Sequence, residues 1–69
     1  MKIVNVRNKV NIRQQADVNS ADIGDAHGDD VFVKLGVETD SSGQAWTKIQ
    51  FDGDKVGYIM ATYTEDIAE

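Results

Sequence analysis

Few side chains in this sequence are of a kind that does covalent chemistry. There is one histidine, His27, and no cysteine. Ser20, Ser41 and Ser42 stand in polar stretches with no base near them in sequence. Catalysis needs preorganised, partly desolvated groups, and so short a chain offers little depth in which to build them. The expectation is a non-catalytic protein that carries no cofactor.

Two other groupings bear on binding. Asp22, Asp25, His27, Asp29 and Asp30 crowd one turn-forming segment. Hard cations want several oxygen ligands, but no Asp-x-Asp-x-Asp-Gly loop is present and no bidentate glutamate follows. The cluster therefore reads as a solvated acidic loop without a metal. Arg13 stands at a strand end, either as a ligand anchor or pairing with a carboxylate while its stem covers the core.

The aromatic residues Trp46, Phe32 and Tyr63 are the better pointers. If residues 31–37 pair with 45–51, Phe32 falls near Gln50 and Lys34 near Lys48, on the face away from the core. Phe32, Trp46, Lys34, Lys48 and Lys55 would then make an aromatic, basic patch on an acidic protein. The competing expectation is that the N-terminal segment, residues 1–6, covers Trp46 and Phe32.

The element that must position these groups is a hairpin over Gln44 to Ile59. Asp52-Gly53 is a strong signal for a tight type I′ turn, because both central residues need φ > 0. A two-residue turn pairs Phe51 with Asp54, Gln50 with Lys55, Ile49 with Val56, Lys48 with Gly57, Thr47 with Tyr58 and Trp46 with Ile59. Alternation then puts Thr47, Ile49, Phe51, Val56 and Tyr58 on the inner face. Gly57, opposite Lys48, would leave a gap for the Trp46 ring.

The remaining elements follow in order. Lys2 to Val6 and Lys9 to Arg13 are short β-type runs. Gln14 to Asp22 is a polar loop, long enough to carry binding. Ile23 is a core anchor. Val31 to Leu35 is a strand, with Val31, Val33 and Leu35 on the core side. Gly36 to Gly43 connects it to the hairpin through a flexible tip, Asp40-Ser41-Ser42-Gly43. Met60 to Tyr63 makes one helical turn, and Thr64 to Glu69 is loose and acidic. The predicted fold is all-β: a small barrel of five to six short antiparallel strands with one short helical turn near the C-terminus. The domain spans residues 1–64, and 65–69 form an acidic tail.

Composition narrows the partners. The 69 residues carry 7 basic and 12 acidic side chains, a net charge of −5. Such a surface repels phosphates and anionic lipid, which argues against nucleic acid and the membrane surface as partners. No apolar run has the length of a membrane span, and the first five residues break too early for a signal peptide. The chain is either intracellular or a domain cut from a longer one, and its small size favours the second.

Several pieces also resemble one family. Trp46-x-Lys48-Ile49-x-Phe51-Asp52-Gly53-x-x-x-Gly57-Tyr58-Ile59 looks like the C-terminal half of a bacterial SH3-like domain. Val10-Asn11-Ile12-Arg13, Ile23-Gly24 and Gly28-x-x-Val31-x-Val33 are similar to earlier segments of the same pattern. The likeness runs from about Lys2 to Tyr63. It departs after Arg13, where Gln14-Gln15-Ala16 replace a small residue followed by Gly-Pro, and at the end, where Tyr63-Thr64 replace Tyr-Leu.

The resemblance implies an SH3-like barrel in a secreted or surface protein, acting as a targeting module. Its ligand would be a cell-wall peptide or glycan, or a protein. Trp46, Tyr63, Phe32, Asn11, Gln15 and Lys48 are the candidate contact residues, and Arg13 occupies a fixed motif position. The alternative is a structural interaction domain that packs on a neighbouring domain or self-associates.

Overall fold

The computed structural model describes residues 1–67. Seven short strands follow one another: β1 (Lys2–Ile3), β2 (Lys9–Arg13), β3 (Asp22–His27), β4 (Val33–Thr39), β5 (Ala45–Phe51), β6 (Lys55–Met60) and β7 (Thr64–Glu65). A 3-10 turn, Ala61–Tyr63, separates β6 from β7. All named pairings are antiparallel. One sheet has the order β3-β2-β6-β5-β4, and β1 pairs with β7 in a second, two-stranded sheet. The domain is all-β, as predicted, but the barrel does not close, because β3 and β4 remain edges of the larger sheet.

The small sheet lies against the chain entering β4. Ile3 donates its backbone N–H to Asp30 O at 2.8 Å, and Phe32 donates to Met1 O at 2.9 Å. The side chains of Ile3, Ile12, Ala26, Ile49 and Ile59 are buried together, with Val6, Val10, Phe32, Phe51 and Tyr63 packed around them. Thr47 is the buried polar residue, and its hydroxyl is satisfied by Thr64 Oγ1 at 2.8 Å. Thr64 and Glu65, expected in a loose tail, are thus tied to β1 and to β5. Residues 68–69 of that tail lie outside the described residues.

The central hairpin forms, but one residue out of the expected register. The loop has three residues, Asp52, Gly53 and Asp54, with φ of +49° at Asp52 and +89° at Gly53. Phe51 therefore pairs with Lys55, Ile49 with Gly57, Lys48 with Tyr58 and Trp46 with Met60. In a β-strand a slip of one residue exchanges the two faces. Gly57 and Ile59 point into the core, while Val56 is 41% exposed and Tyr58 faces outward. The slip has a packing reason. A Cβ on residue 57 would overlap Ile12 Cγ2 and lie 3.0 Å from Phe51 Cε1, so the glycine makes room for Ile12 and Phe51. Gly57 is thus not a seat for the Trp46 ring.

Strand β4 is inverted as well. Val33 pairs with Gln50 and Lys34 with Ile49, then a bulge at Leu35 shifts the register so that Gly36 pairs with Lys48. Phe32 packs on the core beneath Met1. Val31, Val33, Leu35 and Val37, instead of lining the core, are each about half exposed along a sheet edge. Ile23 is likewise exposed rather than anchored. Bulges at an edge twist the strand and discourage further pairing.

Candidate functional site

The loop from Gln14 to Ala21 is held by its own hydrogen bonds rather than by proline. Gln14 N donates to Ala21 O at 2.9 Å and closes the base. Asp17 Oδ1 accepts from Asn19 N at 2.8 Å, and Ser20 Oγ donates to Asp17 O at 2.7 Å. Such side-chain to backbone bonds are what favour Asp, Asn and Ser in turns. Arg13 Nη1 donates to Ser20 O at 3.2 Å, so the arginine pins the loop and pairs with no carboxylate among the described residues. The Asn11 amide, oriented to satisfy both its ends, accepts from Arg13 Nη2 and donates to Asp22 Oδ2, each at 3.1 Å.

The loop between β4 and β5 is organised by Asp40. Its Oδ1 accepts from Ser42 Oγ at 2.7 Å, from Ser42 N at 2.9 Å and from Gln44 N at 3.0 Å. Its Oδ2 accepts from Trp46 Nε1 at 2.9 Å. The Ser42 hydroxyl first, then the Trp46 indole, bring its pKa down from 3.8 to about 2, and the backbone N–H groups add to this. The tip expected to be flexible is a clasp on the one tryptophan. The sequence signal was available: Asp-Ser-Ser-Gly is an Asx-turn pattern, and a tryptophan follows within reach of its carboxylate.

Two grooves open beside these loops, and a third adjoins the second, around residues 5–10. The first, about 500 Å³, lies between the two loops and is lined by Gln15, Asp17, Val18, Glu38, Ser42 and Tyr58, among others. Tyr58 on its floor donates its hydroxyl to Glu38 Oε2 at 2.5 Å. The second is a smaller hollow of about 150 Å³, lined mostly by apolar groups of Val10, Val18, Trp46, Met60 and Tyr63, with Asn11 and Arg13 at its side. The third, of about 290 Å³, includes Asn5, Arg7, Lys9, Val10 and Tyr63.

Of the expected contact residues, Trp46, Tyr63 and Asn11 meet at the second groove, and Gln15 stands on the first. Phe32 and Lys48 line none of the three. Phe32 belongs to the core, and Lys48 sits on the outer face of the sheet opposite Tyr58. The expected aromatic, basic patch is not assembled. Trp46 is only 1% exposed, so it forms a floor rather than a stacking platform. Val18, Glu38, Asp40 and Tyr58 were missed because the groove is built by loops brought together through the β2–β6 and β5–β6 pairings, which no local spacing reveals.

The acids around His27 are dispersed among separate partners. Asp25 pairs with Lys9 at 3.4 Å, Asp29 with Lys2 at 3.6 Å, and Asp30 Oδ2 accepts from His27 N at 2.8 Å. Among the described residues no three such groups converge as a metal site. No family model, curated protein or solved structure matches this chain.

Proposed function

We propose that this domain is a non-catalytic binding module of a larger secreted or surface protein. It holds an extended ligand, a peptide or a cell-wall peptide or glycan, across the face where the two loops meet. The observation that carries this reading is that neighbouring grooves share their walls. The first and second share Val18, and the second and third share Val10 and Tyr63. Small-ligand and peptide sites are concave, with an apolar floor and a few placed polar groups. Trp46, held by Asp40, makes a rigid floor, and the self-bonded Gln14–Ala21 loop makes a preformed wall, so little ordering cost is left for binding. The likeness to bacterial SH3-like domains supports the same class.

The test is retention on purified cell walls, together with amide NMR shifts on adding soluble wall fragments. Substituting Trp46 would not discriminate, since removing a buried tryptophan costs about 3–5 kcal/mol, as much as so small a domain has. Val18→Asn changes an exposed residue shared by two grooves. Binding by the wild type that weakens in this variant, with an unchanged melting curve, supports the reading. Absence of any ligand shift at Val18, Tyr58 and Tyr63 removes it.

A second reading rests on β4. Val31, Val33, Leu35 and Val37 leave apolar surface on a sheet edge, which suits packing on a neighbouring domain or a second copy.

A further inference from the structure

The three grooves, neighbours through the lining residues they share, differ in charge. The first has carboxylates on both lips, Asp17 on one and Glu38 on the other, and no basic residue. The middle is the Trp46, Met60 and Tyr63 floor, with Arg13 at its side turned to the Ser20 carbonyl. The third carries Arg7 and Lys9 and no acid. Lys9 is engaged by Asp25, whereas Arg7 has no ion-pair partner among the described residues. In the first groove Asp17 is bonded through Oδ1 to Asn19, and it forms no ion pair among the described residues.

We infer that the three grooves together take a dipolar oligopeptide: a cationic group between Asp17 and Glu38, an apolar side chain over Trp46 and Tyr63, and a carboxylate at Arg7. This rests on the binding reading above and names the ligand class it requires. The argument is complementarity. Clefts lined by one sign of charge focus that field on the ligand. Here the first and third of three neighbouring grooves carry opposite signs, although the whole chain is at −5. A neutral glycan would use neither end. A ligand cationic throughout would meet Arg7, and one anionic throughout would meet Asp17 and Glu38. Opposite charges separated by a mainly apolar centre match the three segments, and a peptide places such groups a few residues apart, rising about 3.3 Å per residue when extended.

The test uses the whole chain and the hexapeptide acetyl-Lys-Gly-Leu-Leu-Gly-Ala with a free C-terminal carboxylate, followed by amide NMR titration. Its controls are the same peptide with lysine replaced by norleucine, the C-terminal amide, and the neutral glycan tetra-N-acetylchitotetraose. The charged peptide should shift Val18, Tyr58 and Tyr63. Each control peptide should bind about two- to fivefold more weakly, the usual range for an exposed ion pair, and the gap should shrink at high salt. Asp17→Asn keeps the cap to Asn19 and should erase the lysine preference alone. Arg7→Gln should erase the carboxylate preference alone. Equal binding of either control peptide or of the glycan at these residues overturns the dipolar inference and leaves the binding reading standing. No shift with any probe removes both.

Discussion

The Trp46 indole donates to Asp40 Oδ2 at 2.9 Å, and both oxygens of that carboxylate are occupied by donors within a five-residue stretch. The contact fixes the β4–β5 loop to the floor of the groove and gives the fold an acid-sensitive fastening. The folded pKa of Asp40 is depressed from 3.8 to about 2, through Ser42 first and Trp46 second. A depressed carboxylate contributes stability that is present above its unfolded pKa and is lost as pH falls through the folded one. The contribution should be complete above pH 3.8 and disappear towards pH 2. Urea unfolding followed by Trp46 fluorescence should show this loss in the wild type. In Asp40→Ala the midpoint should be lower at neutral pH and the loss in that window smaller. An identical acid slope in both proteins would refute the assignment.

Tyr58 gives the opposite response at the alkaline end. Its hydroxyl donates to Glu38, and that bond first, then burial and the Glu38 charge, raises its pKa above 10.0. A raised folded pKa means stability that is fully present below pH 10 and lost as pH rises through the folded value. The stability difference between wild type and Tyr58→Phe should therefore be flat from pH 7 to 9 and shrink above 10. A difference that is constant to pH 12 would exclude the bond as a stabilising contact.

How far the sequence carried can be judged at Asp52-Gly53. The dipeptide marked a hairpin, and both residues take positive φ. What it could not reveal is whether Asp54 belongs to the loop, because two- and three-residue connections share this signal. That one residue decided whether Tyr58 or Ile59 enters the core. The choice was made by Ile12 and Phe51, which converge on Gly57 from other elements. Strand β4 fails for a related reason: Val31, Val33 and Leu35 alternate as a buried face would, yet the β1 segment covers the Phe32 side instead. The contact residues Asn11, Trp46 and Tyr63 were legible as types worth watching. Their meeting point depends on long-range pairing of β2 with β6, through Arg13 and Tyr58.

The glycines separate these packing demands. Gly57→Ala should cost about 1–3 kcal/mol, the range for overpacking a filled core, because Ile12 and the Arg13 carbonyl both crowd the new methyl. Gly24→Ala should cost less, since its nearest neighbour is the edge of the Phe51 ring at 3.2 Å, which can tilt. At Gly36 an added methyl meets nothing within 4 Å and φ is not positive. Gly36→Ala should be neutral or stabilising by about 0.4–1 kcal/mol through the unfolded chain. Urea midpoints of the three variants should fall in that order, and a tolerated Gly57→Ala would mean that residue 57 does not face Ile12.

The edge strand separates stability from association. Val33 is 59% exposed and Leu35 46%, so neither contributes much to the core. Val33→Thr with Leu35→Thr should shift stability by no more than about 0.5 kcal/mol, as exposed substitutions usually do. The same pair removes apolar area from this sheet edge, the kind of exposed patch on which another face packs. Sedimentation of the wild type at rising concentration should reveal association that the double variant lacks. Ligand shifts at Val18 and Tyr63 should be identical in the two proteins, because β4 contributes to the grooves only through Glu38 and Thr39. If the double variant instead loses ligand and keeps its association, the roles assigned to the two surfaces are reversed.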